Sequence, residues 1–139
     1  MRSTSNLPGI DGQFLSTFIY AKLQSNTNYP MLTHSHVQEI ARRIAAAAHL
    51  PAKVIVFGSY GRGDATEDSD LDLLVVEREV LDHTAEYLRL REVVGPINVG
   101  VDLLLMPQAE FDRRRDWASS PVYWAAREGR VLYDGELAA

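Results

Sequence analysis

The chain has no cysteine, which removes disulfides and thiolate metal sites at once. Its four histidines, His34, His36, His49 and His83, show no paired zinc-ligand spacing, so a zinc centre is not expected either. Long apolar runs are also missing. No stretch approaches the roughly 20 residues of a membrane span, and "FLSTFIYAKL" is short and interrupted by Lys22. With only Arg2 upstream and no convincing cleavage site, that stretch predicts no secretory leader, hence a cytoplasmic protein without a membrane partner. Positive charge is scarce where nucleic acid would need it. The net charge is -5, and residues 51–139 hold ten basic against seventeen acidic side chains. Affinity for phosphate backbones rests on clustered Lys and Arg, so direct nucleic-acid binding is not expected.

What is present belongs to a globular chain. At 139 residues, 46% of them hydrophobic and 24% charged, the length prior gives one folded domain with a single core. Residues 1–30 carry Pro8, Gly9, Gly12 and Pro30 around an apolar island of Phe14, Leu15, Phe18, Ile19 and Leu23. They read as an N-terminal extension, either poorly ordered or a short helix that docks on a partner, ahead of a domain over 31–139. "THSHVQEIARRIAAAAHLP" predicts a helix with Val37, Ile40, Ala41, Ile44, Ala45 and Ala48 on one face and Ser35 with Gln38 as a capping box. "KVIVFGS" predicts a buried strand entering a tight glycine turn, and "LDLLVVE" a second strand. "EVLDHTAEYLRLREVV" predicts a helix ended by Gly95-Pro96, and "INVGVDLLLM" a strand stopped by Pro107. A helix starting at that proline, a short helix around "PVYWAAREG" and an extended "RVLYD" complete an α/β chain.

Chemistry concentrates in "GSYGRGDATEDSDLDLLVV". Residues two apart on a strand share a face, so Asp70 and Asp72 can project side by side, with Leu74 and Val76 continuing that face inward. Two like charges at the mouth of a buried strand repel each other, and partial burial sharpens the conflict, so a cation between them would resolve it. Asp102 is a third carboxylate, alone in the apolar strand "VGVDLLLM". Should its strand neighbour that of Asp72, three hard oxygen ligands of the type that suits magnesium or manganese would meet on one patch. Gly58 and Ser59 follow the first strand directly, where a turn frees backbone N–H groups for a phosphate. The segment spells neither G-x-x-x-x-G-K-[ST] nor G-x-G-x-x-G.

Gly58-Ser59, ten residues, then Asp70-Leu71-Asp72 resembles the G-S-x10-D-x-D motif of the DNA polymerase beta-like nucleotidyltransferase superfamily. More closely, "GSYGRGDATEDSDLDLLV" is similar to the minimal nucleotidyltransferase (MNT) domains, often paired with HEPN-domain proteins in toxin–antitoxin systems. The resemblance spans residues 32–135. It implies a minimal nucleotidyltransferase fold, a small mixed β-sheet of three to four strands flanked by helices. It also implies two Mg2+ ions, or Mn2+, on Asp70, Asp72 and Asp102 as catalytic ligands, and ATP held by Gly58 and Ser59. The implied reaction moves AMP to a hydroxyl, and the implied acceptor is a tyrosine of a HEPN toxin that this chain would silence as an antitoxin. Homo- or hetero-oligomeric assembly stays open.

Arg62 and Ser69 complete the nucleotide-binding candidates. Arg62 reads either as a phosphate contact or as a solvated loop residue paired with Asp64, Glu67 or Asp68, and Ser69 as a residue that caps or orients Asp70. Gly61 stands where the family commonly has alanine. Arg113, Arg114 and Arg115 read as a solvated helix face, and Tyr123, Trp124 and Tyr133 as packing for the last helix. Two other functions compete: an antitoxin that neutralises its partner by occupancy without chemistry, and a small-molecule nucleotidyltransferase of the aminoglycoside type.

Overall fold

The computed structural model describes residues 31–138; the extension read over residues 1–30 lies outside them. Helix α1 (His34–Ala47) buries Val37, Ile40, Ala41, Ile44 and Ala45, one stripe at three- and four-residue spacing. Its cap differs from the expected Ser35–Gln38 box. Thr33 is the extended residue before the first turn, and its hydroxyl accepts from the His36 N–H at 3.1 Å. Ser35 already lies inside the helix, and the Gln38 amide instead donates across the fold to the Leu132 carbonyl at 3.1 Å.

Strand β1 (Pro51–Phe57) leads into a short helix α2 (Gly58–Arg62), then β2 (Leu71–Glu77), α3 (His83–Val94) and β3 (Val101–Pro107). Helices α4 (Gln108–Arg114) and α5 (Pro121–Glu128), strand β4 (Arg130–Asp134) and a last turn α6 (Gly135–Ala138) follow. The four strands form one mixed sheet in the order β3-β2-β1-β4. β1 runs antiparallel to β2 and β4, whereas β2 and β3 are parallel and joined through α3, the crossover a parallel pair requires.

The sheet is buried on both faces. Val54, Val56, Leu73, Val75, Leu103 and Leu105 pack against Ile40 and Ile44 of α1 and Leu90 and Val94 of α3. Ile55, Leu74, Val76 and Met106 pack on the other side against Phe111 of α4 and Val122 and Ala125 of α5. Central β2 is therefore covered twice, which is why "LLVV" reads as an unbroken apolar run.

Helix α5 turns Trp124 outward, against the expected packing on the core. Ser120 caps it by accepting from the Val122 N–H, and Pro121 occupies the first turn. That start sets the phase so that Val122 and Ala125 face the core while Trp124 is 48% exposed; Tyr133 does pack on the core. Arg113 and Arg114 stay partly exposed, as a solvated face requires, and pair with Glu110 at 3.6 and 2.7 Å. Arg115 lies over the Phe111 ring, 5.2 Å from its centre. Among the described residues no helix is long and apolar enough to cross a membrane.

Candidate active site

The site forms at the end of the sheet where β1 stops and β2 and β3 begin. Asp72 and Asp102 are each the second residue of their strands and stand in register across the parallel pair, with Phe57 of β1 opposite Asp72 on its other side. From that row the same face runs inward through Leu74 and Val76, so the carboxylates ride on a rigid, fully packed element. Asp70 lies one residue ahead of β2 rather than within it. The Leu71 N–H donates to the Gly100 carbonyl at 2.8 Å and ties the two strand entrances together. The Asp70 carboxylate rests on Gly100, where an added Cβ would come 2.5 Å from Oδ1.

Asp72 is half-buried and holds its proton up to about 6, well above the ordinary 3.8. Burial is the largest cause; the Asp102 charge, a hydrogen bond with the Asp102 carboxyl and the Asp70 charge add to it, and Arg62 partly offsets them. Negative charge is thus crowded where a cation would relieve it. As they stand, however, no three His, Asp or Glu side chains among the described residues are gathered tightly enough to hold one ion. Asp72 and Asp102 form a close pair, and Asp70 flanks it over Gly100.

The segment expected to be a tight glycine turn is a helical turn, α2. Phe57 is extended, and Gly58 reverses the chain at φ +64 with its Cα directly against the Asp72 carboxylate; a Cβ there would overlap Oδ2. Gly63, at φ +87, ends the turn, and the N–H groups of Gly63 and Asp64 both donate to the Ser59 carbonyl. Gly61 has a packing role: a Cβ on it would lie 2.7 Å from the Val56 carbonyl oxygen and 3.6 Å from Cα of Gly129. Gly129 in turn leaves no room for a side chain beside Ile55 and Val56. With no Cβ at either position, α2 and the end of α5 sit close against β1.

The remaining candidates fall as follows. Ser59 is half-buried in the first turn of α2, beside Gly58. The Ser69 hydroxyl accepts from the Thr66 N–H at 2.8 Å, so it closes the acidic loop ahead of Asp70 and does not touch that carboxylate. Arg62 is exposed and paired with Asp64 at 3.3 Å and Glu128 at 3.6 Å, close enough to Asp72 to act on its charge. Gly100, Gly129 and Glu128 were missed by the sequence reading. Only Gly100 had a signal, its place directly before the strand that carries Asp102.

Residues 37–123 match the family model described as a nucleotidyltransferase domain. Two Methanocaldococcus jannaschii proteins named as candidate protein adenylyltransferases are similar. One is 32% identical over 81 residues, 58% of this chain and 77% of its own length; the other is 35% identical over 79, 53% and 79%. Among solved structures, a nucleotidyltransferase candidate from Sulfolobus solfataricus aligns with a TM-score of 0.51 at 18% identity over 94% of this chain and 95% of its own. A chain from the complex of a tri-AMPylated Shewanella oneidensis HEPN toxin with its MNT antitoxin aligns at 0.50 and 16% identity over 77% and 76%. These structural likenesses show the fold, a small mixed sheet with helices on both faces.

Proposed function

This chain belongs to the nucleotidyltransferase domain family and is a nucleotidyltransferase, and from that premise we propose that it transfers AMP from ATP to a tyrosine hydroxyl of a HEPN-type toxin and so acts as its antitoxin. The observation that carries the reading is the registered pair Asp72 and Asp102 set against the Gly58 backbone. Carboxylates beside a glycine turn support a reading in which cations and a phosphate meet there. The acceptor class rests on likeness: the curated relatives are named for protein adenylylation, and one structural neighbour comes from an AMP-modified HEPN toxin complex.

The chain's own residues fit divalent ions in donor chemistry, since all three candidates are carboxylates and Asp72 is crowded by like charge. Asp70, Asp72 and Asp102 would hold Mg2+, or Mn2+ in its place. Bound there, such ions would lower the pKa of the attacking hydroxyl and neutralise charge on the leaving pyrophosphate. Gly58 and Ser59 would take the triphosphate on freed backbone N–H groups and the serine hydroxyl, with Arg62 facing it once released from Asp64. Asp102 would accept the hydrogen bond of the acceptor hydroxyl and draw off its proton. The tyrosine oxygen then bonds to the α-phosphorus as the bond to the pyrophosphate oxygen breaks.

The test uses the purified full chain with ATP labelled at the α-phosphate, magnesium, and a HEPN-type protein as the acceptor. Label is expected on a tyrosine of that protein, and is lost with a chelator or with Asp70→Ala plus Asp72→Ala. If the double variant still neutralises the partner fully in cells, inhibition by occupancy replaces the catalytic reading.

A further inference from the structure

The far end of β2 holds a second acidic constellation that the transfer reaction does not use. Glu77, the last residue of the strand, is 0% exposed, and its Oε1 is buried without any hydrogen-bond partner. It lies at the foot of a cavity of about 500 Å³, a size typical of small-molecule sites. It lies five positions beyond Asp72, or roughly 16 Å along a strand. One backbone N–H, that of His49, donates to both Glu77 Oε2 at 3.2 Å and Glu86 Oε2 at 3.0 Å. Two carboxylates therefore share one neutral donor, and a buried carboxylate without a cation or further donors is costly.

Charge around the cavity is one-sided. Glu77 faces it from β2, Glu86 from α3, Asp82 from the cap of α3, and His49 from the turn before β1. Arg89 is the single strong cation in the lining, and it is already engaged with Glu86 Oε1 at 2.6 Å with its side chain half exposed. The Asp82 carboxylate caps α3 by accepting from the Ala85 N–H. The rest of the wall, Ala47, Ala48, Ala85 and the 79%-exposed Leu81, is apolar and would cover a methylene chain. We infer that this cavity is a second binding site, which takes an alkylammonium group, of a free diamine or of a lysine side chain, with its N–H donors on Glu77 Oε1 and Glu86.

The protonation of Glu77 makes the site pH-dependent. Burial, then the hydrogen bond and charge of Glu86, push its carboxyl up to about 8, against the lowering effects of the His49 N–H and Arg89. A bound ammonium replaces that proton. Primary amines stay charged to about pH 10, so affinity rises about tenfold between pH 7 and pH 9 as Glu77 ionises.

The experiment is calorimetric titration of the full chain at pH 7 and pH 9 with 1,4-diaminobutane, with an Nα-acetyl-lysine amide, and with 1-butanol as the neutral control. The expected result is saturable binding of an amine, about tenfold tighter at pH 9, none of the alcohol, and at least a tenfold loss in Glu77→Gln with AMP transfer unchanged. Preference for the diamine assigns a small-molecule site, and preference for the lysine amide a site for a partner's side chain. Should Glu77→Gln not fold, Glu86→Gln is expected to lose the same binding. The proposal is overturned if neither amine saturates, if 1-butanol binds as well, or if the folded variant binds like the parent.

Discussion

Asp72 and Asp102 stand opposite each other in the second rung of the parallel β2–β3 pair, thirty residues apart in the chain. Parallel neighbours lie about 4.8 Å apart across the sheet, so the two carboxyls are held on one face by backbone alone. The cost of that arrangement is visible in the raised affinity of Asp72 for its proton.

Asp72→Asn should stabilise the fold near neutral pH. The folded state holds the Asp72 proton up to about 6 against 3.8 in its absence, so the favourable contribution is present below the lower value and is lost as pH rises through the higher one. Allowing for solvent screening of a half-buried group, the gain is about 1–2 kcal/mol at pH 7.5. Melting at pH 7.5 and pH 4 checks it: the variant melts higher at the first and nearly level with the parent at the second.

Magnesium should raise the melting temperature of the parent and leave Asp72→Asn and Asp102→Asn where they are, because ions binding only the folded state stabilise it by mass action. AMP transfer by either variant should fall about 10²- to 10³-fold, the equivalent of roughly 3–4 kcal/mol of transition-state stabilisation. Label transfer unchanged in Asp102→Asn would remove that residue from the reaction.

Gly58 and Gly63 both have positive φ, but only Gly58 touches the site. Gly63→Ala meets nothing within 4 Å and should cost only the left-handed backbone penalty of about 1–2 kcal/mol, with transfer retained. Gly58→Ala adds a collision with the Asp72 carboxylate and should abolish nucleotide binding as well. Chemical denaturation and nucleotide titration on the two variants separate strain from function.

Phe111→Ala should remove about 3–5 kcal/mol, the usual consequence of deleting a buried aromatic ring. Phe111 is 2% exposed between α4 and the sheet face that carries Asp72 further along. The urea midpoint measures the loss, and a loss below about 1 kcal/mol would show that α4 repacks.

Much of this was legible one residue at a time. The stripe of Val37, Ile40 and Ile44 announces α1, the runs "VIVF" and "LLVV" announce β1 and β2, and Asp70-x-Asp72 behind Gly58-Ser59 announces a site, because periodicity and motif spacing depend on near neighbours in the chain. The cap at Thr33, the outward turn of Trp124 and the helical form of Gly58–Arg62 were not, since each depends on where a helix begins to within one residue.

The amino-acid sequence by itself determined the identity of the acidic and glycine residues, their spacing and the strands that carry them. Only the tertiary structure decided that Asp102 meets Asp72 rather than another strand's end, that Gly129 makes room for Gly61, and that buried Glu77 lines a cavity together with Glu86. Those relationships join segments up to seventy residues apart, and they follow from strand order and register, which are fixed when both faces of the sheet are buried at once.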